Sequence, residues 1–408
     1  MTWSGKEVRQ QFPILQQKIN GKRLIYLDSA ASAQKPQVVI DALSSVYSTN
    51  YANIHRGIYR LAEEATRQYE AARAKIAKFI NAASTDEVIF VRNATEGLNL
   101  VVYSWGRSNV GAGERIIVTE LEHHSNLVPW QWLAQEQDAE LSFIPVTGAG
   151  ELDLAALPPL LADGRAKVLA LSMMSNVLGT IPDLAEIIHL AHAAGVVVVL
   201  DGAQAVPHLP VDVQSLDADF MAFSGHKLGG PGIGALWGRR ALLAAMPPFL
   251  FGGDMILSVR KERSTWNELP YKFEAGTPAI AEAIALGAAI DFLTELGMEN
   301  VRQHELQLVT YALAELSAVP GLHLLGPAAE KHGGAVAFWF EDIHPHDIAA
   351  ILDEEGICVR AGQHCAAPLH RRFGIPASTR ASYYVYNSNE DTDALVAGLH
   401  KVIKLLRR

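Results

Sequence analysis

"KVLALSMMSNVLGTIPDLAEIIHLAHAAGVVVVLDGAQ", residues 167–204, sets two apolar, β-branched runs on either side of an amphipathic segment. The middle piece has Pro182 and Asp183 at its start and Gly195 at its end, the asymmetry of a helix. Outward from it, "EVIFV" (87–91), "RIIVTE" (115–120), "LSFIPV" (141–146) and "FMAFSG" (220–225) continue the same rhythm. Strands alternating with helices imply an α/β fold, a mostly parallel central sheet flanked by helices on both faces. Ligands of such sheets sit at the carboxyl ends of the strands. The polar residues that close the apolar runs are therefore the first place to look for chemistry.

After residue 240 the rhythm breaks. Residues 247–278, with paired glycines, prolines and mixed charge, read as a long loop or hairpin, and "AEAIALGAAIDFLTELG" (281–297) resumes a helical pattern. Further helices and the strands "GAVAFWF" (334–340) and "GICVRA" (356–361) suggest a smaller α+β C-terminal domain. The expected division is an N-terminal segment, 1–20, packing with the small domain, then a large domain, 21–295, and a small one, 296–408. A chain of 408 residues exceeds what one core usually supports.

Composition narrows the classes of function. Hydrophobic residues at 49% and charged residues at 19% exclude a disordered chain. Thirty-four basic against 44 acidic residues, with no Lys/Arg cluster among aromatics, argue against a nucleic-acid partner. The start "MTWSGKEVRQQFPIL" lacks a signal-peptide core and the apolar runs are too short to span a bilayer, so a cytoplasmic protein with no membrane partner is expected. No metal site is expected. Two cysteines do not make a disulfide scaffold, and Cys358, inside "GICVR", reads as a buried structural thiol.

The strand ends carry the candidates. In "RNATEG" (92–97) a strand runs into a polar turn and a helix, so the N–H groups of Ala94, Thr95 and Glu96 are expected to be free for a phosphate. "EHHSN" (122–126) places His123 and His124 in a polar setting. Asp201 closes a wholly apolar run, and 26 residues later "FMAFSGHK" ends in Ser224, His226 and Lys227. A lysine at the end of a buried strand has the depressed pKa that a Schiff-base lysine needs. An aspartate facing it matches the carboxylate that keeps a pyridine nitrogen protonated. Nucleotide-loop readings of "GHKLGGPGIG" (225–234) fail on order, because Lys227 precedes its glycines.

Taken together, "DGAQ", "SGHK", "EHHSN" and "RAGQHCAAPL" (360–369) resemble the group II, SufS-type cysteine desulfurases, pyridoxal 5'-phosphate (PLP) enzymes of transferase fold type I. The likeness runs from "FPIL" and "YLDSAASAQKP" through "EAGTP" to "TRASYYVYN". It implies Lys227 as the Schiff-base lysine, Asp201 on the pyridine nitrogen, Gln204 on the phenolate oxygen and His123 stacked on the ring. Thr95, Ser224 and His226 would hold the phosphate, and Thr277 the phosphate of the partner subunit in a homodimer. Asn176 and Arg380 would bind the substrate carboxylate, with Arg360 near the thiol and His55 and Arg56 at the entrance. Cys365 would be the sulfur acceptor, its thiolate favoured by Arg360 and His364.

The activity so implied is PLP-dependent removal of sulfur from L-cysteine. Lys227 takes the Cα proton, Cys365 attacks the substrate sulfur, and L-alanine leaves a persulfide on Cys365. An acceptor protein of SufE or SufU type would collect it for iron-sulfur cluster assembly or other sulfur transfer. Two departures stand out: "RNATE" where the family reads R-G-T-T-E, and a loop after Lys227 one residue shorter, with Gly229 in place of an aromatic. Other readings of the fold are a selenocysteine lyase acting on L-selenocysteine, a kynureninase-like hydrolase or an epimerase, none of which needs Cys365. From another class comes an inactive scaffold of a sulfur-transfer complex, and weakest is a nucleotide-binding module.

Overall fold

All six apolar runs fold as strands of one sheet, and a seventh strand completes it. The computed structural model describes residues 3–407 and places β1 at Val88–Val91, β2 at Arg115–Thr119, β3 at Glu140–Ile144 and β4 at Ala166–Ser172. β5 is Val197–Asp201, β6 Phe220–Ser224 and β7 Gly234–Gly238. Met1, Thr2 and Arg408, which fall in the expected N-terminal segment and small domain, lie outside the described residues.

The order across the sheet is β1-β7-β6-β5-β4-β2-β3. From β6 to β3 all neighbours are parallel, and β7 runs antiparallel to both β6 and β1. The reversal follows from the connection, since parallel strands need a crossover of about a dozen residues or more and only a tight glycine-rich turn joins β6 to β7. Gly234 and Gly238 bring no side chain to pack, and pairing on both sides holds β7 in place despite them.

Ile117, Leu169, Leu171, Val198 and Leu200 enter one apolar layer, and Ile116, Val118, Val168, Ala170 and Val199 enter the other. This alternation with both faces buried is what a helix-covered parallel sheet requires. The helices include α1 (Arg60–Phe79), α2 (Ala94–Leu100), α3 (Leu184–Ala193) and α4 (Ile280–Leu296). α3 is the helix expected from residues 182–195: the Asp183 side chain caps it by accepting from Glu186 N–H, and Gly195 ends it at φ +72°. Residues 247–278 contain an antiparallel hairpin, β8 (Ile256–Val259) and β9 (Ser264–Trp266), whose Leu257 is 70% exposed.

The C-terminal part forms a second, antiparallel sheet from β10 (His323–Leu325), β11 (Ala335–Trp339), β12 (Arg360–Gly362) and β13 (Ser378–Ser382), in the order β10-β11-β13-β12. Helices α5 (Met298–Ser317), α6 (Pro345–Glu354) and α7 (Asn389–Leu406) complete it. Its apolar core takes in Leu308, Leu352, Leu399, Val336 and Phe338 and also Ile25 and Leu27 from the N-terminal stretch. Ile25–Tyr26 pairs in parallel with Ile357–Cys358, and Lys6 reaches Glu390. Cys358 is half-buried rather than fully buried as expected, because its two-residue strand lies at an edge.

Register places the site. Ser172 is level with Asp201, and Asp201 with Ala222. Val91 and Ser224 are both level with Gly234. The ends of β1, β4, β5 and β6 therefore stand along one edge, facing the loops of β12 and β13.

Candidate active site

A cavity of about 350 Å³ opens at that edge, within the usual range for a small-molecule site. Of the residues that the resemblance assigns to cofactor, substrate carboxylate and sulfur, all line it except Thr277, which is exposed and lies elsewhere on this protomer. The N-terminal stretch adds Tyr26, Asp28 and Ser32.

Lys227 stands in a 3-10 turn, Gly225–Lys227, just beyond β6 rather than at the strand end itself. The turn depends on glycine: Gly225 N–H donates to Ile233 O at 2.6 Å, and a Cβ there would sit 2.7 Å from that oxygen. Gly229, at φ +84°, closes the loop where a side chain would press on Gln34 O at 3.3 Å. Burial lowers the Lys227 amine to about 8, against the opposing pull of Asp201. Asp201 is itself buried and raised by burial, with Lys227 and the Ala203 N–H, 2.9 Å from Oδ1, acting against the rise. Gln204 gives one amide proton to Ala30 O at 2.7 Å, and its Oε1 is buried without a partner among the described residues.

The phosphate-binding reading of the α2 turn needs correction. Ala94 N–H donates to Ser224 Oγ at 2.9 Å and Glu96 N–H to the capping Asn93 Oδ1 at 3.0 Å, so two of the three donors expected to be free are engaged. Hydroxyls remain: Thr95 Oγ1 lies 2.7 Å from Ser125 Oγ. Burial, with Lys227 and Lys35 adding to it, lowers His226 to about 4, which leaves a neutral N–H donor rather than a cation. His123 is lowered to about 4 mainly by burial, and its Nδ1 accepts from Ser125 N–H at 3.1 Å.

The opposite wall is cationic. Arg380, 2% exposed on β13, donates to Asn176 O at 2.8 Å and to Asp28 Oδ1 at 2.9 Å, and its Nε is buried with no partner among the described residues. Asn176 Nδ2 donates to His364 O at 2.6 Å, which ties the turn after β4 to the cysteine loop. His124 does the same from β2: its N–H donates to Cys365 O at 2.8 Å and its Nε2 accepts from Ala367 N–H at 3.1 Å. Arg360 pairs with Asp28 Oδ2 at 3.2 Å. Cys365 is exposed at φ +56°, and its thiolate favours the charged forms of Lys227 and Arg380. His364, expected to share in stabilising that thiolate, is lowered to about 2, chiefly by burial and then by Arg380, so it carries no charge to offer.

Asp28 and Ser125 are among the cavity residues that the sequence does not single out. Asp28 closes the short apolar run "LIYL" (24–27), and only the fold brings it to Arg380. His55 and Arg56 do not stand at this cavity's mouth: with Asp254 and Tyr271 they line a separate hollow, His55 bonded to Glu70 and Arg56 to Asp254. The residues present fit PLP. A neutral imidazole, hydroxyls, a buried carboxylate opposite a depressed lysine and the orphaned Arg380 Nε describe a wall built for a polar, planar, anionic guest.

The aminotransferase class-V family profile matches residues 25–395. A protein named cysteine desulfurase from Klebsiella pneumoniae (strain 342) is 52% identical over 408 residues, covering 100% of both chains. The solved cysteine desulfurase CsdA of Escherichia coli, in an S-sulfonic acid form, superposes with a TM-score of 0.92 at 41% identity over 100% of both chains. A C-DES mutant with glycine covalently linked to its PLP cofactor superposes with a TM-score of 0.80 at 25% identity, over 96% of this chain and 98% of that one.

Proposed function

The chain belongs to the aminotransferase class-V family and, within it, to the cysteine desulfurases; from that premise we propose which of its own residues carry the reaction. It is a PLP-dependent enzyme that removes sulfur from L-cysteine. The observation that carries the residue assignment is the depressed Lys227 amine sharing one cavity with buried Asp201 and exposed Cys365.

Bound PLP supplies an electron sink that acidifies the substrate Cα–H and weakens the Cβ–S bond. Asp201 would hold the ring nitrogen, Gln204 the phenolate oxygen, His123 the ring face, and Thr95, Ser224 and His226 the phosphate. Arg380 keeps an unpaired Nε for the substrate carboxylate while Asp28 holds its Nη2, and Asn176 supports it. With a pKa of about 8, Lys227 is partly neutral near neutral pH, the form that accepts the Cα proton. Cys365 thiolate then forms a bond to the substrate sulfur as Cβ–S breaks and the carbon keeps the electron pair. Protonated carbon leaves as L-alanine, and the sulfur stays as a persulfide on Cys365.

The exposure of Cys365 supports hand-over to an acceptor protein, which we assign to the SufE or SufU type serving iron-sulfur cluster assembly or other sulfur transfer. A homodimer is part of the reading. Thr277 is exposed and away from its own cavity, and Gly276 N–H holds its stretch to Gly253 O beside exposed Phe251, which supports a role at the partner subunit's phosphate. The proposed domains are 21–295 and 296–408 with segment 1–20 on the small one; the pairing of Ile25–Tyr26 with Ile357–Cys358 supports carrying that segment a little further. Among the described residues no helix is long and apolar enough to cross a membrane. Two free thiols agree with a cytoplasmic location.

The test is to incubate pure protein with L-cysteine, with and without reductant, and to measure alanine and sulfide together. Equal yields under reductant are expected. Alanine without sulfide or persulfide would overturn the assignment.

A further inference from the structure

We propose that Ser125 is a positioning residue of the cofactor site: its hydroxyl proton is committed to Thr95 and so turns the Thr95 hydroxyl toward the phosphate. The proposal rests on the reading of Thr95 as a phosphate ligand.

Ser125 Oγ lies 2.7 Å from Thr95 Oγ1 and 3.0 Å from His123 Nδ1. Both neighbours could accept its proton, so the arrangement has two possible directions. His123 decides between them. Burial keeps its ring neutral near neutral pH, and a neutral ring nitrogen that accepts has a single lone pair. The backbone N–H of Ser125, fixed in the 3-10 turn His124–Asn126, already points at that lone pair from 3.1 Å. The Ser125 hydroxyl is left to donate to Thr95 Oγ1, and Thr95, having accepted, keeps its own proton for the cavity whose wall it forms.

Donors are scarce on this side, which gives that orientation its importance. Ala94 has no hydroxyl and spends its N–H on Ser224 Oγ, and Glu96 spends its N–H on Asn93. A phosphate accepts only, so a hydroxyl pointing the wrong way contributes nothing to it.

The test compares Ser125→Ala, Ser125→Thr, Thr95→Ala and the double Ala variant. PLP dissociation constants come from equilibrium dialysis, phosphorus NMR follows the bound cofactor, and thermal unfolding checks that each variant folds. Ser125→Ala is expected to raise Kd roughly three- to tenfold, the worth of one neutral hydrogen bond, and to move the phosphorus resonance. Ser125→Thr restores both, and Ser125→Ala adds nothing in the Thr95→Ala background. A wild-type Kd and resonance in Ser125→Ala, or losses that add in full in the double variant, would overturn the proposal while leaving Thr95 as a ligand. An unchanged Kd in Thr95→Ala would remove the Thr95 reading and this proposal with it.

Discussion

Asp201 and Ser224 end buried strands and are 5% and 4% exposed, whereas Cys365, across the same cavity, stands exposed on a turn at φ +56°. The first wall is fixed by the ladder of a parallel sheet. The second is fixed by side-chain ties: Asp28 to Arg380 and Arg360, Asn176 to His364, His124 to Cys365 and Ala367. A cofactor that must stay in place needs the first kind of wall, and a sulfur that must leave needs the second. Rigid scaffold with functional loops is the common division of labour, and here both halves face one cavity.

If the sheet-edge wall holds the cofactor and runs the proton transfer, the largest loss comes from Lys227→Ala. Alanine formation from L-cysteine is expected to fall by roughly two to four orders of magnitude. A variant that keeps a tenth of wild-type turnover would end the assignment of Lys227 as the base. Next comes the mobile sulfur. Cys365→Ser is expected to lower sulfide release from L-cysteine roughly a hundredfold or more, with PLP affinity unchanged and L-selenocysteine cleavage retained. Unaltered cysteine turnover in that variant would erase the contrast between the walls, because the exposed turn would then carry no chemistry.

Arg380→Lys sharpens the comparison from the middle, since Arg380 stands on β13 of the C-terminal sheet yet is almost wholly buried. An ammonium cannot present two parallel N–H bonds, so KM for L-cysteine should rise roughly 10- to 100-fold with kcat affected less. Steady-state kinetics across substrate concentration separate the two. A fall in kcat at constant KM would instead place Arg380 in the bond-breaking step.

Legibility followed the same division. The strands that end in Ser172, Asp201 and Ser224 announce themselves as apolar runs, and the polar residue that closes each run is visible from the pattern alone. Lys227 was legible for the same reason, though the structure moves it from strand end to the turn beyond. β13, which carries Arg380, reads as "STRAS" and gives no periodic signal; only the resemblance pointed to that arginine. Asp28 lies hundreds of residues from its two arginine partners, and the short apolar run before it gives no sign of them. His364 was misread because a histidine beside a cysteine suggests charge, and burial, which decides the matter, is a tertiary property.

That misreading yields the smallest expected effect. Burial holds His364 neutral, with a pKa of about 2, and its Nε2 lies 3.1 Å from Ser378 Oγ and 3.2 Å from Ser378 O. Its role by this geometry is to link the cysteine loop to β13, which a side-chain amide can also do. Asparagine tolerates the left-handed backbone found there, φ +50°. His364→Asn should therefore change kcat/KM by about threefold or less, one neutral hydrogen bond at most, and should leave the pH–rate profile superimposable on wild type. A group neutral across the working range cannot produce a limb in that profile, so losing one on substitution would show that His364 titrates there. The exposed wall would then own a charge device of its own, and the sheet edge would no longer be the sole source of protons in the reaction.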